Sequence, residues 1–282
     1  MARAGTTGSM RVAANRQTRN GIEILARAGY FAKGAVFGTI GLLTVMTAFG
    51  FAGGRITGTR GAIAEISSQS FGQFLLVLIA IGLAGFVVWR FVQAIKDPER
   101  HGTEPKGLVQ RAGLLVSGVI YAGLALFALR LVWGSGGGSG SDSGGTQQTA
   151  GWLMSNPAGI WLVGAVGVII IGVALYQAWR VLTVSYRSQW DLSGMSATEI
   201  RWATRLSAAG IAARAVAFAL IGWFFIEAAL EADPSEAKGL DGALQAFSSG
   251  PFGTLWLALV GLGFVCYGVY CFVNGRYKRI SP

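Results

Sequence analysis

The stretch Ile66–Trp89, ISSQSFGQFLLVLIAIGLAGFVVW, decides the fold: it carries no formal charge and is followed at once by Arg90. A bilayer core about 30 Å thick is crossed by about 20 apolar residues of helix, at 1.5 Å of rise per residue. Working outward, residues 34–54, 112–129, 143–179 and 242–275 are also free of formal charge, and Arg214 is the single charge between Arg205 and Glu227. In hydrocarbon every backbone N–H and C=O needs a partner, which leaves helices or closed barrels. Barrel strands alternate with period two over roughly ten residues, and runs such as VGVIIIGV (166–173) do not.

The whole composition agrees. Of 282 residues 52% are hydrophobic and 13% charged, about half the charge of an ordinary soluble domain. The expectation is an all-α polytopic membrane protein with six transmembrane helices, at roughly 29–50, 72–94, 112–133, 158–180, 208–230 and 253–273. Two neutral runs are trimmed by turn chemistry, because Pro157 and Pro251 suit a turn or the first turn of the helix that follows. The first apolar run is too long for the h-region of a signal peptide and reads as an uncleaved first span.

Basic residues set the expected topology. They gather in the leader and its junction (Arg3 to Lys33), in the second loop region (Arg90 to Arg111), in the fourth (Arg180 to Arg214) and in the tail (Arg276, Lys278, Arg279). The intervening segments hold only Arg55, Arg60, Arg130 and Lys238. By the positive-inside rule both termini face the cytoplasm of a bacterial plasma membrane. The net charge of +10 then belongs to a surface beside anionic lipid headgroups. Nucleic-acid binding would need a basic folded module or a longer arm.

Three segments align as copies of one unit. Their first helices begin RAGYFAKGAVFGTIG (27–41), RAGLLVSGVIYAGLA (111–125) and AAGIAARAVAFALIG (208–222), so that Lys33, Ser117 and Arg214 coincide, as do Phe37, Tyr121 and Phe218. Their second helices are introduced by GAIAEISSQSFGQFLL (61–76), QTAGWLMSNPAGIWLV (148–163) and GALQAFSSGPFGTLWL (242–257), with Gly72, Gly159 and Gly253 in register and Trp89, Tyr176 and Tyr270 seventeen residues on. Each unit spans twice, so the copies are parallel repeats, and a pseudo-threefold ring is the simplest arrangement, with a linear row of hairpins as the alternative.

The expected organisation is a basic leader (1–21), repeat 1 (22–96), a loop (97–106), repeat 2 (107–181), a loop (182–204), repeat 3 (205–275) and a basic tail (276–282). GAIAEISS and GALQAFSS have the spacing of short amphipathic helices on the outer side. GSGGGSGSDSGG (134–145) reads as a flexible linker.

Two polar sets stand out. Lys33, Ser117 and Arg214 would form a basic collar for an anion or headgroup if they face the ring axis. Alternatively the two long side chains snorkel to the interface. Arg130 and Glu227 occupy aligned positions at the outer ends of their helices and are a candidate contact across repeats. The spacing of Gly34 and Gly38 reads as helix packing. Cys266 and Cys271 read as small buried hydrophobes. The lone His101 and the absence of a Cys/His/carboxylate cluster or Walker motif leave no cofactor or metal expected.

The arginine–alanine–glycine starts at 27–29 and 111–113, the Pro–Phe–Gly at 251–253 and the aromatic second helix around Tyr267 and Tyr270 resemble the bacterial membrane family called domain of unknown function 1206. The resemblance covers nearly residues 22–275 and implies tandem two-helix units, three per chain, with no catalytic residues to carry across. This sequence departs from it at Ala208, Ser70 and Ala158. The expected role is a non-enzymatic scaffold or accessory subunit with lipid or membrane-protein partners. A small channel or transporter for an ion or small anion, with a path between the repeats, is the alternative.

Overall fold

The computed structural model describes residues 5–97, 102, 104–134 and 141–279. They form an all-α chain: α1 (Gly5–Ala48), α2 (Thr59–Ser68), α3 (Gly72–Lys96), α4 (Pro105–Val132), α5 (Asp142–Met154), α6 (Pro157–Leu182), α7 (Ala197–Glu231), α8 (Leu240–Ser249) and α9 (Gly253–Tyr277). Six of them (α1, α3, α4, α6, α7 and α9) are long and apolar enough to cross a membrane.

Several boundaries differ from the sequence expectation. No proline interrupts Gly5–Ala48, and α1 runs back through the polar leader as far as Gly5. The helix expected from about 208 starts at Ala197, because Ser196 and Glu199 form a capping box, Ser196 Oγ accepting from the Glu199 amide and Glu199 accepting from the Ser196 amide. The linker expected over 134–145 is helical from Asp142, with Ser141 Oγ accepting from the Gly144 amide. Residues 135–140 lie outside the described residues, as do 98–101 of the charged loop. The two short amphipathic helices expected between spans are α2 and α8.

The long helices pack in the order α4, α3, α1, α9, α7, α6, whereas α4 and α6 make at most marginal contact. The row is bent: Tyr121 of α4 and Arg214 of α7 both reach residues of α1. In lipid, helices associate by close packing rather than by the hydrophobic effect, and glycines make the approaches. A methyl group at Gly41 would lie 2.5 Å from the Val265 nitrogen of α9, and one at Gly167 of α6 would lie 2.8 Å from the Gly222 oxygen of α7.

The connecting helices meet at one end of the bundle. Asp142, the first residue of α5, accepts from the amides of Thr59 and Arg60 at the start of α2, the second at 3.1 Å. Asp241 in turn accepts from the Ser143 amide at the start of α5, 2.9 Å away. A carboxylate at a helix N-terminus satisfies amides that have no partner in the helix itself. At the other end, Arg27 donates to the Gly275 and Arg276 carbonyls that finish α9, and Arg111 donates to the Ala94 and Ile95 carbonyls that finish α3. The two arginine–alanine–glycine starts thus serve as C-terminal caps for the helix next door.

Candidate functional site

The alignment of the repeats becomes a place in space around Lys33. This lysine is 5% exposed, and its Nζ lies 5.0 Å from the ring centre of Tyr121, 5.3 Å from Phe86, 5.5 Å from Tyr267 and 5.9 Å from Phe37. Arg214 places its guanidinium 4.4 Å from Phe218, 5.0 Å from Tyr267 and 5.8 Å from Phe37. Arg90 lies 4.6 Å from Phe86. Gln177 of α6 accepts from Arg214 Nη1 at 3.2 Å. All six long helices contribute a side chain to this cluster.

The rings brace one another. Phe37 meets Tyr267 edge-on at 4.9 Å, and Phe86 meets Tyr121 edge-on at 4.8 Å. Their faces carry negative quadrupole density, and a desolvated cation above one gains about 2 kcal/mol. An Arg or Lys at the centre of a membrane helix costs about 2.5–3.5 kcal/mol. Four rings around Lys33, three around Arg214 and one against Arg90 therefore offset burial but leave the repulsion among the three cations.

Acceptors are scarce here. No described carboxylate pairs with Lys33, Arg90 or Arg214, and the strongest charged neighbours of Lys33 include Arg214, Arg90 and Lys278. Three buried nitrogens, Arg90 Nε, Arg214 Nε and Gln177 Nε2, have no hydrogen-bond partner. Unmade bonds from buried donors cost about 1–3 kcal/mol each, more for charged groups. A negatively charged ligand is the chemistry that such a donor set fits.

Of the expected collar, the structure brings Lys33 and Arg214 together. Lys33 is buried and Arg214 half-buried, and the Tyr267 ring of α9 lies against both head groups. Ser117 is half-buried and hydrogen-bonds to neither, and Tyr121, one turn further along α4, represents the second repeat instead. Arg130 and Glu227 form no ion pair among the described residues: Arg130 is exposed beside a cavity of about 250 Å³ that it shares with Arg60, Gly123, Leu126 and Phe127, and Glu227 is on α7, which makes at most marginal contact with α4. Arg90 and Gln177 were not singled out from the sequence. The signal was one residue away, since they directly follow the aligned aromatics Trp89 and Tyr176. Among the described residues, no three His, Cys, Asp or Glu side chains gather as a metal site.

The register of these repeats is the register of a known family. The profile described as Domain of Unknown Function (DUF1206) matches residues 28–97, 112–183 and 209–278. The chain belongs to the DUF1206 family. It is also similar to "Uncharacterized protein YxxB" of Bacillus subtilis (strain 168), at 37% identity over 265 residues that cover 94% of each chain. No solved structure matches it. The three DUF1206 segments each contain one pair of long helices, so the chain is a bacterial multi-pass membrane protein with an internal repeat.

Proposed function

We propose that this DUF1206 protein is a non-enzymatic accessory or scaffold protein of the plasma membrane, built around a central site that holds an anion. The observation that carries this reading is the set of three cations and three orphaned donors with no carboxylate partner among the described residues. In the same reading the three repeats are parallel and related by a pseudo-threefold axis through the cluster. The aligned sets Phe37, Tyr121 and Phe218, and Arg90, Gln177 and Cys271, support it by lying on alternate helices of the row around Lys33 and Arg214.

Both termini lie on the cytoplasmic side in this reading, and the basic end of the bundle meets anionic headgroups. Reporter fusions at residues 1 and 282 test the orientation, and signals from opposite faces overturn it.

An anion path through the centre is the weaker reading. One continuous apolar core runs from Tyr186 and Trp190 past the cluster to Ile63 and Leu244 near the opposite end, which favours a site over a conduit.

The test of the anion site is thermal unfolding of the full chain in neutral detergent, titrated with sodium phosphate at constant ionic strength. A ligand that binds only the folded state stabilises it by about 2.7 kcal/mol at a hundredfold excess over Kd. A saturable rise in Tm that disappears in the Lys33→Met, Arg214→Gln double variant supports the site. A flat response in the wild type overturns it.

A further inference from the structure

The second repeat is built unlike its neighbours. In repeats 1 and 3 the paired helices close on each other: a methyl group at Gly29 would lie 2.5 Å from Phe86 Cβ, and one at Gly210 would collide with the Tyr267 backbone. The aligned Gly113 of α4 has nothing within 4 Å of that position. The same holds for the second helices. Trp89 is 1% exposed and Tyr270 9%, whereas the aligned Tyr176 of α6 is 52% exposed. Where Gly82 and Gly263 touch alanines of the partner helix, the aligned residue is Ile169, which is exposed. The face that α4 and α6 should bury against each other is therefore open at Gly113, Ile169 and Tyr176, and closed towards Leu124, Ala128 and Val163.

This cleft borders the cation cluster, because Tyr121 stands on α4 and Gln177 on α6. Gln177 is itself 5% exposed, and its Nε2 is one of the donors left without a partner. Apolar walls within the bilayer suit acyl chains, and cations beside them that donate only to the glutamines Gln93 and Gln177 and meet no carboxylate suit a phosphate diester. Resting on the anion-site reading, we propose that an anionic glycerophospholipid occupies the cleft between α4 and α6, with its phosphate among Lys33, Arg90, Arg214 and Gln177. Charge complementarity selects this occupant over a second copy of the chain, since the apolar cleft faces Gly113, Ile169 and Tyr176 offer no anion to the three cations.

The experiment uses the full chain in nanodiscs of phosphatidylcholine containing a small fraction of phosphatidylglycerol with a photoreactive acyl chain. Labelled peptides are then mapped. The expected result is labelling of Val116, Ile120, Ile169 and Tyr176 at least fivefold above that of Phe74 and Leu78 on the outer face of α3. It should fall to the level of α3 in Lys33→Met, Arg214→Gln and when the probe is a phosphatidylcholine. Gly172→Phe supplies a variant that leaves every cation in place. A side chain there enters open space, and the bulk should cut cleft labelling while phosphate still raises Tm.

Equal labelling of all lipid-facing surfaces, or labelling unchanged by the cation variants, overturns the proposal. A phosphate-dependent Tm without cleft labelling overturns it too, but keeps the site as one for a free anion. Cross-links between two chains through α4 and α6 assign the cleft to a second copy. Neither labelling nor a phosphate response removes both readings.

Discussion

Lys33 and Arg214 hold their charges over the same two rings, Phe37 and Tyr267. Lys33 shares a third ring, Phe86, with Arg90. The π faces thus separate the cations while attracting each of them, and removing a face should cost more than removing a polar edge.

Tyr267 tests this relationship. Tyr267→Phe keeps the face and should lower stability by less than about 1 kcal/mol. Tyr267→Leu removes attraction for two cations together with ring packing, and about 2–4 kcal/mol is expected. Denaturation in mild detergent compares them, and equal losses would deny the rings their electrostatic part.

Two glycines on α1 separate close approach from glycine content. Gly41→Ala drives a methyl group onto the α9 backbone, 2.5 Å from Val265 nitrogen and 2.6 Å from Gly261 oxygen. About 1–3 kcal/mol of destabilisation follows from overpacking. Gly38→Ala meets nothing within 4 Å and should stabilise by up to about 1 kcal/mol through helix propensity. Thermal unfolding of the pair reads the difference, and a stable Gly41→Ala would refute the contact.

Acid dependence should have two opposite components at the two ends of the bundle. Burial raises the Asp142 carboxyl above the ordinary carboxylate range, with Asp241 adding to it, against the pull of the Arg60 and Thr59 amides. The folded chain then binds that proton more tightly than the unfolded chain. Its contribution is complete below the unfolded value and is lost as pH rises through the folded one. The stability of the wild type relative to Asp142→Asn should therefore fall as pH rises above the ordinary carboxylate value of about 4. Asp191 is held low by the Ser193 hydroxyl and amide, with Arg279 also favouring its charge. Its contribution is present above the ordinary carboxylate value and lost as pH falls through the lowered one. Asp191→Asn should match the wild type only in strong acid.

The capping box at the start of α7 predicts a local effect. Ser196→Ala removes the acceptor for the Glu199 amide at 3.2 Å and should cost about 0.5–2 kcal/mol. Amide exchange should accelerate over 197–200 and stay unchanged around Gly210, where α7 lies against α9. Faster exchange throughout α7 would contradict a purely terminal role.

The six spans were legible because charge cannot be left in hydrocarbon cheaply, so neutral runs such as 66–89 mark them directly. The Lys33 and Arg214 pair was legible through the repeat. The rings around them were not, since Phe86, Tyr121 and Tyr267 arrive from other helices far away in the chain. The helical first turn of α5 was hidden by its glycines and serines: Ser141 and Asp241 supply caps that composition does not display. The open side of repeat 2 was hidden as well. Gly113 reads the same as Gly29 in sequence, and the difference lies in which helix stands opposite.

The joint between α1 and α9 has a bearing on biosynthesis. Arg27 reaches the carbonyl of a residue 248 positions later, and the glycine face of α1 has no α9 beneath it until the final span has been made. At about 5–20 residues per second that interval is roughly 12–50 s. The first span must wait in the membrane half-dressed, so loss of the last helix strips the first, and a nascent chain stalled after repeat 2 presents a substrate for quality-control proteases rather than a shorter working protein.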